Sequence, residues 1–264
     1  MKYQIQLFLT AIMFFTRIPV TKSLPYSKTL LQQSARYFSW VGLIVGTLSA
    51  LVWLLFNWLQ LPEMAIFFSM LTSILVTGAF HEDGFADCCD AFGGGWEKNT
   101  ILTIMKDSRL GTYGVVGLII ILLGKFLLLN QLSVLLNVPQ FFLLLLLSHS
   151  TSRFMAVTVM QSLPYVQDID SSKSKPLADR KLTFIELLIA LFPVAVSFAF
   201  FPWWFCIVLV PVFLVQQYLV FYFKKWIGGY TGDCLGATQQ VTEWVIYFCV
   251  LLAFQFQLIG NKIL

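Results

Sequence analysis

The chain has 264 residues, 58% of them hydrophobic and 11% charged, with a formal charge of +4 and a mean hydropathy of +0.81. Soluble domains carry about 25% charged and about 45–50% apolar residues, so the composition excludes a soluble globular protein. No loop interleaves aromatic with basic residues as a nucleic-acid groove does, so the small positive charge does not indicate nucleic acid.

The first apolar run, Tyr3–Phe15, stops at Arg17 and is shorter than the about 20 residues that cross a bilayer. It reads as a short span, a re-entrant piece or an interfacial helix; "FFTRIPV" after it has no small-residue cleavage pattern, which argues against a signal peptide. Seven apolar stretches then read as membrane helices: Trp40–Leu59, Met64–Phe80, Gly111–Leu129, Phe141–Met160, Phe184–Phe201, Trp203–Phe223 and Val241–Leu258. The expected fold is therefore all-α, a polytopic integral membrane helical bundle of about seven spans plus a short N-terminal apolar helix. With no internal repeat, soluble domain or low-complexity linker, residues 1–264 form one membrane-embedded domain. Val166–Lys181 is the one long polar stretch and reads as a mobile connection.

The basic residues alternate between the loops. Loop 17–36, loop 81–110, the segment from Arg153 to Lys181, and Lys224–Lys225 hold fourteen of the seventeen lysines and arginines. The positive-inside rule places those four loops on the cytoplasmic face.

One of them holds "HEDGFADCCDAFGGG", His81 to Gly95, directly after an apolar segment. At about 100° per residue, Asp83, Asp87 and Asp90 fall within an arc of roughly 60° on a helix, and Glu82 points away from it. Three carboxylates on one face repel each other at reduced dielectric. A hard cation relieves this, and all-oxygen ligands suit Mg²⁺, Mn²⁺ or Ca²⁺. Gly84 and Ala86 leave room for a close neighbour, and "FGGG" ends the helix. A zinc site from His81, Cys88 and Cys89 fits no familiar spacing. The five cysteines lack CxxC spacing and read as reduced.

The next segment, "MKDSRLGTYG", offers Lys106, Asp107, Ser108 and Arg109 just before a span. Asp107 could complete the metal site across a helical hairpin, and Lys106 and Arg109 carry donors for phosphate. Acid on one helix end and base on the next is the layout of metal-assisted diphosphate chemistry. Within the spans, Lys125 is expected to snorkel or to pair with a polar group, and His149 to be a hydrogen-bonded helix-end histidine in preference to a ligand. Arg153 requires an anionic partner from protein or substrate. Finally "GGYTGDCLGATQQVTE", Gly228 to Glu243, is a glycine-punctuated turn carrying Asp233; it reads equally as a ligand-approach loop or a plain turn.

Taken in chain order, Phe14–Pro19, His81–Asp90, Lys106–Gly114, Ser152–Arg153 with Pro164–Tyr165, and Gly228–Ala237 with Glu243 resemble the cobalamin synthase family. That family is also called adenosylcobinamide-GDP ribazoletransferase. Its pattern reads F-x-T-R-x-P, H-x-D-G-x-A-D-x-x-D, R-D-S-x-x-G-x-Y-G, S-R…P-Y and G-G-x-T-G-D-x-L-G-A. Lys106 departs from it, standing where an arginine is expected.

The resemblance implies a multi-pass enzyme of the cell inner membrane with its active site facing the cytoplasm. It joins adenosylcobinamide-GDP to α-ribazole or its 5′-phosphate, releases GMP and requires Mg²⁺. On that basis Asp83, Asp87, Asp90 and Asp107 are the expected metal ligands, and Glu82 or Asp90 the general base. Lys106 and Arg109 act on the phosphates; Arg17, Ser108, Arg153, Gly232 and Asp233 bind substrate. The partners are the two substrates and the lipid bilayer, with a homo-oligomer left open.

Two alternatives stand beside this reading. A CDP-alcohol phosphotransferase also uses aspartates on paired membrane helices, but nothing after Gly95 supplies its second aspartate pair. A cation transporter carries its coupling residues near the bilayer midplane, where this chain has almost no acids.

Overall fold

The computed structural model describes residues 2–20, 27–166 and 180–263. Among them there is no β-strand, only an isolated bridge between Tyr165 and Tyr230. The α-helices are α1 (Lys2–Phe15), α2 (Lys28–Ser34), α3 (Phe38–Trp58), α4 (Pro62–Thr77), α5 (Phe80–Gly94) and α6 (Lys98–Lys106). They continue with α7 (Thr112–Leu135), α8 (Val138–Ser162), α9 (Phe184–Phe198), α10 (Leu209–Ile227) and α11 (Gly232–Ile263). Short 3₁₀ turns at Ala35–Tyr37 and Trp203–Val208 lead into α3 and α10. Most of the polar stretch 166–181, with Lys173 and Lys175, lies outside the described residues, as does Lys22.

The protein is a multi-pass membrane protein. Five segments are long and apolar enough to cross a bilayer: Lys28–Trp58, Thr112–Leu135, Val138–Ser162, Trp203–Ile227 and Gly232–Phe256. A sixth is the pair α4 and α5, which qualify together but meet at an angle of 87°. The remaining expected span, Phe184–Phe201, is shorter than predicted. Its helix stops at Phe198, and 15 residues rise only about 22 Å against a hydrocarbon core of about 30 Å. Pro202 disfavours helical backbone in the residue before it, so the chain turns over Ala199–Phe201 instead. The far end is still reached: Phe198 packs on Phe205, and Phe205 on Phe254, deep along α11.

Helix α1 is not a span. Its 14 residues cover about 21 Å, and it packs along the end of the bundle where α3 begins. Phe8 meets Tyr37 edge-on, Phe15 stacks on Phe38, and the Tyr3 hydroxyl donates to Gln33 at 3.0 Å.

In lipid there is no hydrophobic force between helices, so close packing depends on small residues and polar contacts. Gly42 and Gly46 of α3 form such a small-xxx-small face against α8. A Cβ at Gly46 would come within 2.8 Å of the Leu145 carbonyl oxygen. Buried Ser49 and Ala50 extend that face. The start of α9 is fastened to the start of α3 by Glu186, which accepts from the Thr183 backbone at 2.7 Å, from Arg180 at 3.0 Å and from buried Arg36. The large apolar side chains on the outside, among them Ile119, Ile120 and Leu123 of α7 and Phe213 and Leu214 of α10, form the lipid-facing surface.

Candidate active site

The predicted continuous helix through Phe80 is broken. Gly78 and Ala79 both adopt left-handed backbone, with φ of 70° and 57°. Glycine does so without a Cβ penalty; alanine does so at a cost of about 1 kcal/mol. Arg17 closes the break. Its backbone N–H donates to the Val76 carbonyl at 2.7 Å, and its side chain lies directly over Gly78. Arg17, expected to bind substrate, is thus placed where it caps α4, although its side chain remains exposed.

Beyond the break, α5 runs antiparallel to both α7 and α11, wedged between their first turns. Backbone touches backbone on the α11 side. A Cβ at Gly84 would lie 2.9 Å from the Asp233 Cα, and one at Gly236 would lie 3.0 Å from the His81 carbonyl oxygen. On the α7 side Asp90 accepts from the backbone N–H groups of Gly111 at 2.7 Å and Gly114 at 2.8 Å. These are N-terminal donors without intrahelical partners, so Asp90 caps α7 and holds the Lys106–Gly111 segment beside α5.

This packing assembles an acidic trio from two helices. Asp83 is exposed, Asp87 half-buried, and Asp233 stands in the first turn of α11. Asp87 lies within electrostatic range of Asp233, Asp83 and Asp90, and Asp233 within range of Asp83. No basic side chain among the described residues forms an ion pair with Asp83, Asp87 or Asp233. Each pair of like charges at such an interface repels by on the order of 1–4 kcal/mol. Thr231 caps the helix that presents Asp233, its hydroxyl accepting from Cys234 N–H at 3.3 Å.

Four expected site residues fall elsewhere. Asp107, predicted as a metal ligand, faces its own loop: its carboxylate takes the Arg109 guanidinium at 2.6 to 3.0 Å and the Arg109 backbone N–H at 3.1 Å. The Arg109 hydrogen bonds hold the Asp107 carboxyl down to about 2, well below the usual range. Asp233 takes the place beside Asp83 and Asp87 that Asp107 was expected to fill. The sequence signal for it was the aspartate in the glycine-rich turn, read there as a substrate contact.

Glu82 is 7% exposed and turned into the bundle, where its Oε1 accepts from Gln240, and both Asp90 oxygens accept from the start of α7. Arg153 is 1% exposed and donates to the His149 carbonyl at 2.9 Å; its carboxylate neighbours are Glu243 and Glu82. No carboxylate among the described residues lies within ion-pair distance of it. Lys106, Ser108 and Arg109 are exposed on the segment that Asp90 anchors, and Gly232 opens α11 beside Asp233.

Among the described residues no three His, Cys, Asp or Glu side chains close into a ready metal cage. The donor set nonetheless fits Mg²⁺, which keeps several waters and binds through one or two carboxylates plus substrate phosphates. The model of the cobalamin-5-phosphate synthase family matches residues 7–251. The chain belongs to that family. Within it, the chain is 44% identical over 258 residues to the adenosylcobinamide-GDP ribazoletransferase of Vibrio cholerae serotype O1, covering 96% of each. It is 46% identical over 253 residues to the Shewanella piezotolerans protein of the same name, covering 95% of this chain and 96% of the relative. No solved structure matches. Three carboxylates without an ion-paired base among the described residues are an arrangement suited to a hard cation.

Proposed function

We propose that the protein is an adenosylcobinamide-GDP ribazoletransferase with Asp83, Asp87 and Asp233 as its Mg²⁺-binding carboxylates. The observation that carries the reading is that trio, contributed by two helices and ion-paired to no basic side chain among the described residues. A diphosphate cannot approach three carboxylates without cations between them, and bound Mg²⁺ would neutralise the phosphates and the charge that develops on the departing GMP.

The chain's own residues do the rest. A ribazole hydroxyl oxygen bonds to the cobinamide-linked phosphorus, the bond from that phosphorus to the GMP oxygen breaks, and the hydroxyl proton passes to a site carboxylate. Lys106 and Arg109 hold phosphate oxygens, Arg109 exchanging part of its contact with Asp107 for substrate. The first turn of α11, with Gly232 ahead of Asp233, offers backbone N–H groups to the same anion.

The loop charges support an orientation in which this end of the bundle faces the cytoplasm, in a cell inner membrane. Purified protein in lipid, given adenosylcobinamide-GDP and α-ribazole, releases GMP with Mg²⁺ and stops when the metal is chelated. GMP release that needs no α-ribazole would identify a hydrolase instead. Release undiminished after chelation would remove the metal from the account.

A further inference from the structure

Behind the acidic trio lies a second constellation that the transfer chemistry does not use. Lys125 of α7, His149 and Arg153 of α8, Gln239, Gln240 and Glu243 of α11, and Glu82 of α5 are all at most 7% exposed. Lys125 Nζ stands 3.0 Å from Glu243 Oε1 and donates to Gln240 Oε1 at 3.0 Å. The Gln240 amide donates to Glu82 Oε1 and to Gln239 Oε1, each at 2.9 Å. Gln239 in turn donates to Glu243 and to Ser152 at 3.1 Å, and His149 Nδ1 stands 3.3 Å from Glu243 Oε2. Counting the histidine neutral, two basic and two acidic groups balance.

Gln240 is the only member of this set that bonds to Glu82, and Glu82 sits in the first turn of the helix that carries Asp83 and Asp87. On α11, Gln240 and Asp233 are seven residues apart, so they share a face within about 20°. We propose that Gln240 is a positioning residue for the transfer site. By bonding Glu82, with Lys125 and Glu243 fixed behind it, it sets the rotation of α5 that turns Asp83 and Asp87 toward Asp233. This makes Glu82 an anchor and not a proton acceptor, and it rests on the trio being the metal site.

The test exchanges the pair. Gln240→Glu sets two carboxylates face to face and adds a negative charge to a balanced network; Glu82→Gln with Gln240→Glu restores both the hydrogen bond and the balance. In lipid, Gln240→Glu is expected to lower kcat for GMP release at least 30-fold, with KM for either substrate within threefold of the parent. The double exchange is expected to recover at least tenfold of that loss. Where Gln240→Glu yields no folded protein, Gln240→Met, close in volume, takes its place, and the same fall in kcat at unchanged KM is expected. Turnover within threefold of the parent in a folded single variant overturns the proposal. So does a folded double exchange as slow as the single, which would return Glu82 to proton transfer. An inactive parent would instead indict the proposed function itself.

Discussion

Asp87→Asn is expected to lower Mg²⁺-dependent GMP release by about 10²–10³-fold, the range seen when one preorganised charge contact to a reacting centre is removed. It is expected to do so without unfolding the protein. Asp87 is half-buried among Asp233, Asp83 and Asp90 and forms no ion pair with a basic side chain among the described residues, so the folded state carries its charge under repulsion. Removing that charge relieves the metal-free protein. Its thermal midpoint under chelation should equal or exceed the parent's, the signature of a group held for activity against stability. Joint loss of activity and stability would mean instead that Asp87 is a structural side chain.

Glu243→Gln is expected to behave in the opposite way. Glu243 is 1% exposed and lies against Lys125 at 3.0 Å and His149 at 3.3 Å, with Arg153 within electrostatic range. Removing one partner of a buried ion pair leaves an uncompensated charge and costs about 3–5 kcal/mol, whereas replacing both partners by apolar groups is often close to neutral. Thermal unfolding in lipid should therefore show a large loss for Glu243→Gln and substantial recovery when Lys125→Met is added. A single variant as stable as the parent would show that the network carries no net stabilising role.

The bundle was legible because bilayer length imposes an unbroken apolar run, and every predicted span contains a helix here, although the one from Met64 breaks before Phe80 and the one from Phe184 stops at Phe198. The acidic arc was legible because 3.6-residue periodicity alone places Asp83, Asp87 and Asp90 on one side. Illegible features depended on contacts between distant residues. The break at Gly78–Ala79 rests on one glycine, one strained alanine and an arginine sixty residues earlier in the chain. Asp107 was the next aspartate in sequence after α5, but Asp233 is the one that the Gly84 and Gly236 contact brings to Asp83. Arg153 read as a substrate contact and Glu82 as a general base because their neighbours, Glu243 and Gln240, lie in the last helix. Lys125 followed the expectation of a polar partner between helices.

Which aspartate joins Asp83 and Asp87 decides where a metal would sit. The most direct measurement compares Asp233→Asn with Asp107→Asn in one assay, following GMP release at increasing Mg²⁺. Asp233→Asn is expected to lose about 10²–10³-fold in turnover and to need more Mg²⁺ for half-maximal rate, with Asp107→Asn within about tenfold of the parent and unchanged in its Mg²⁺ requirement. The reverse order, with Asp107→Asn inactive and Asp233→Asn near normal, would contradict the placement of the metal between α5 and α11.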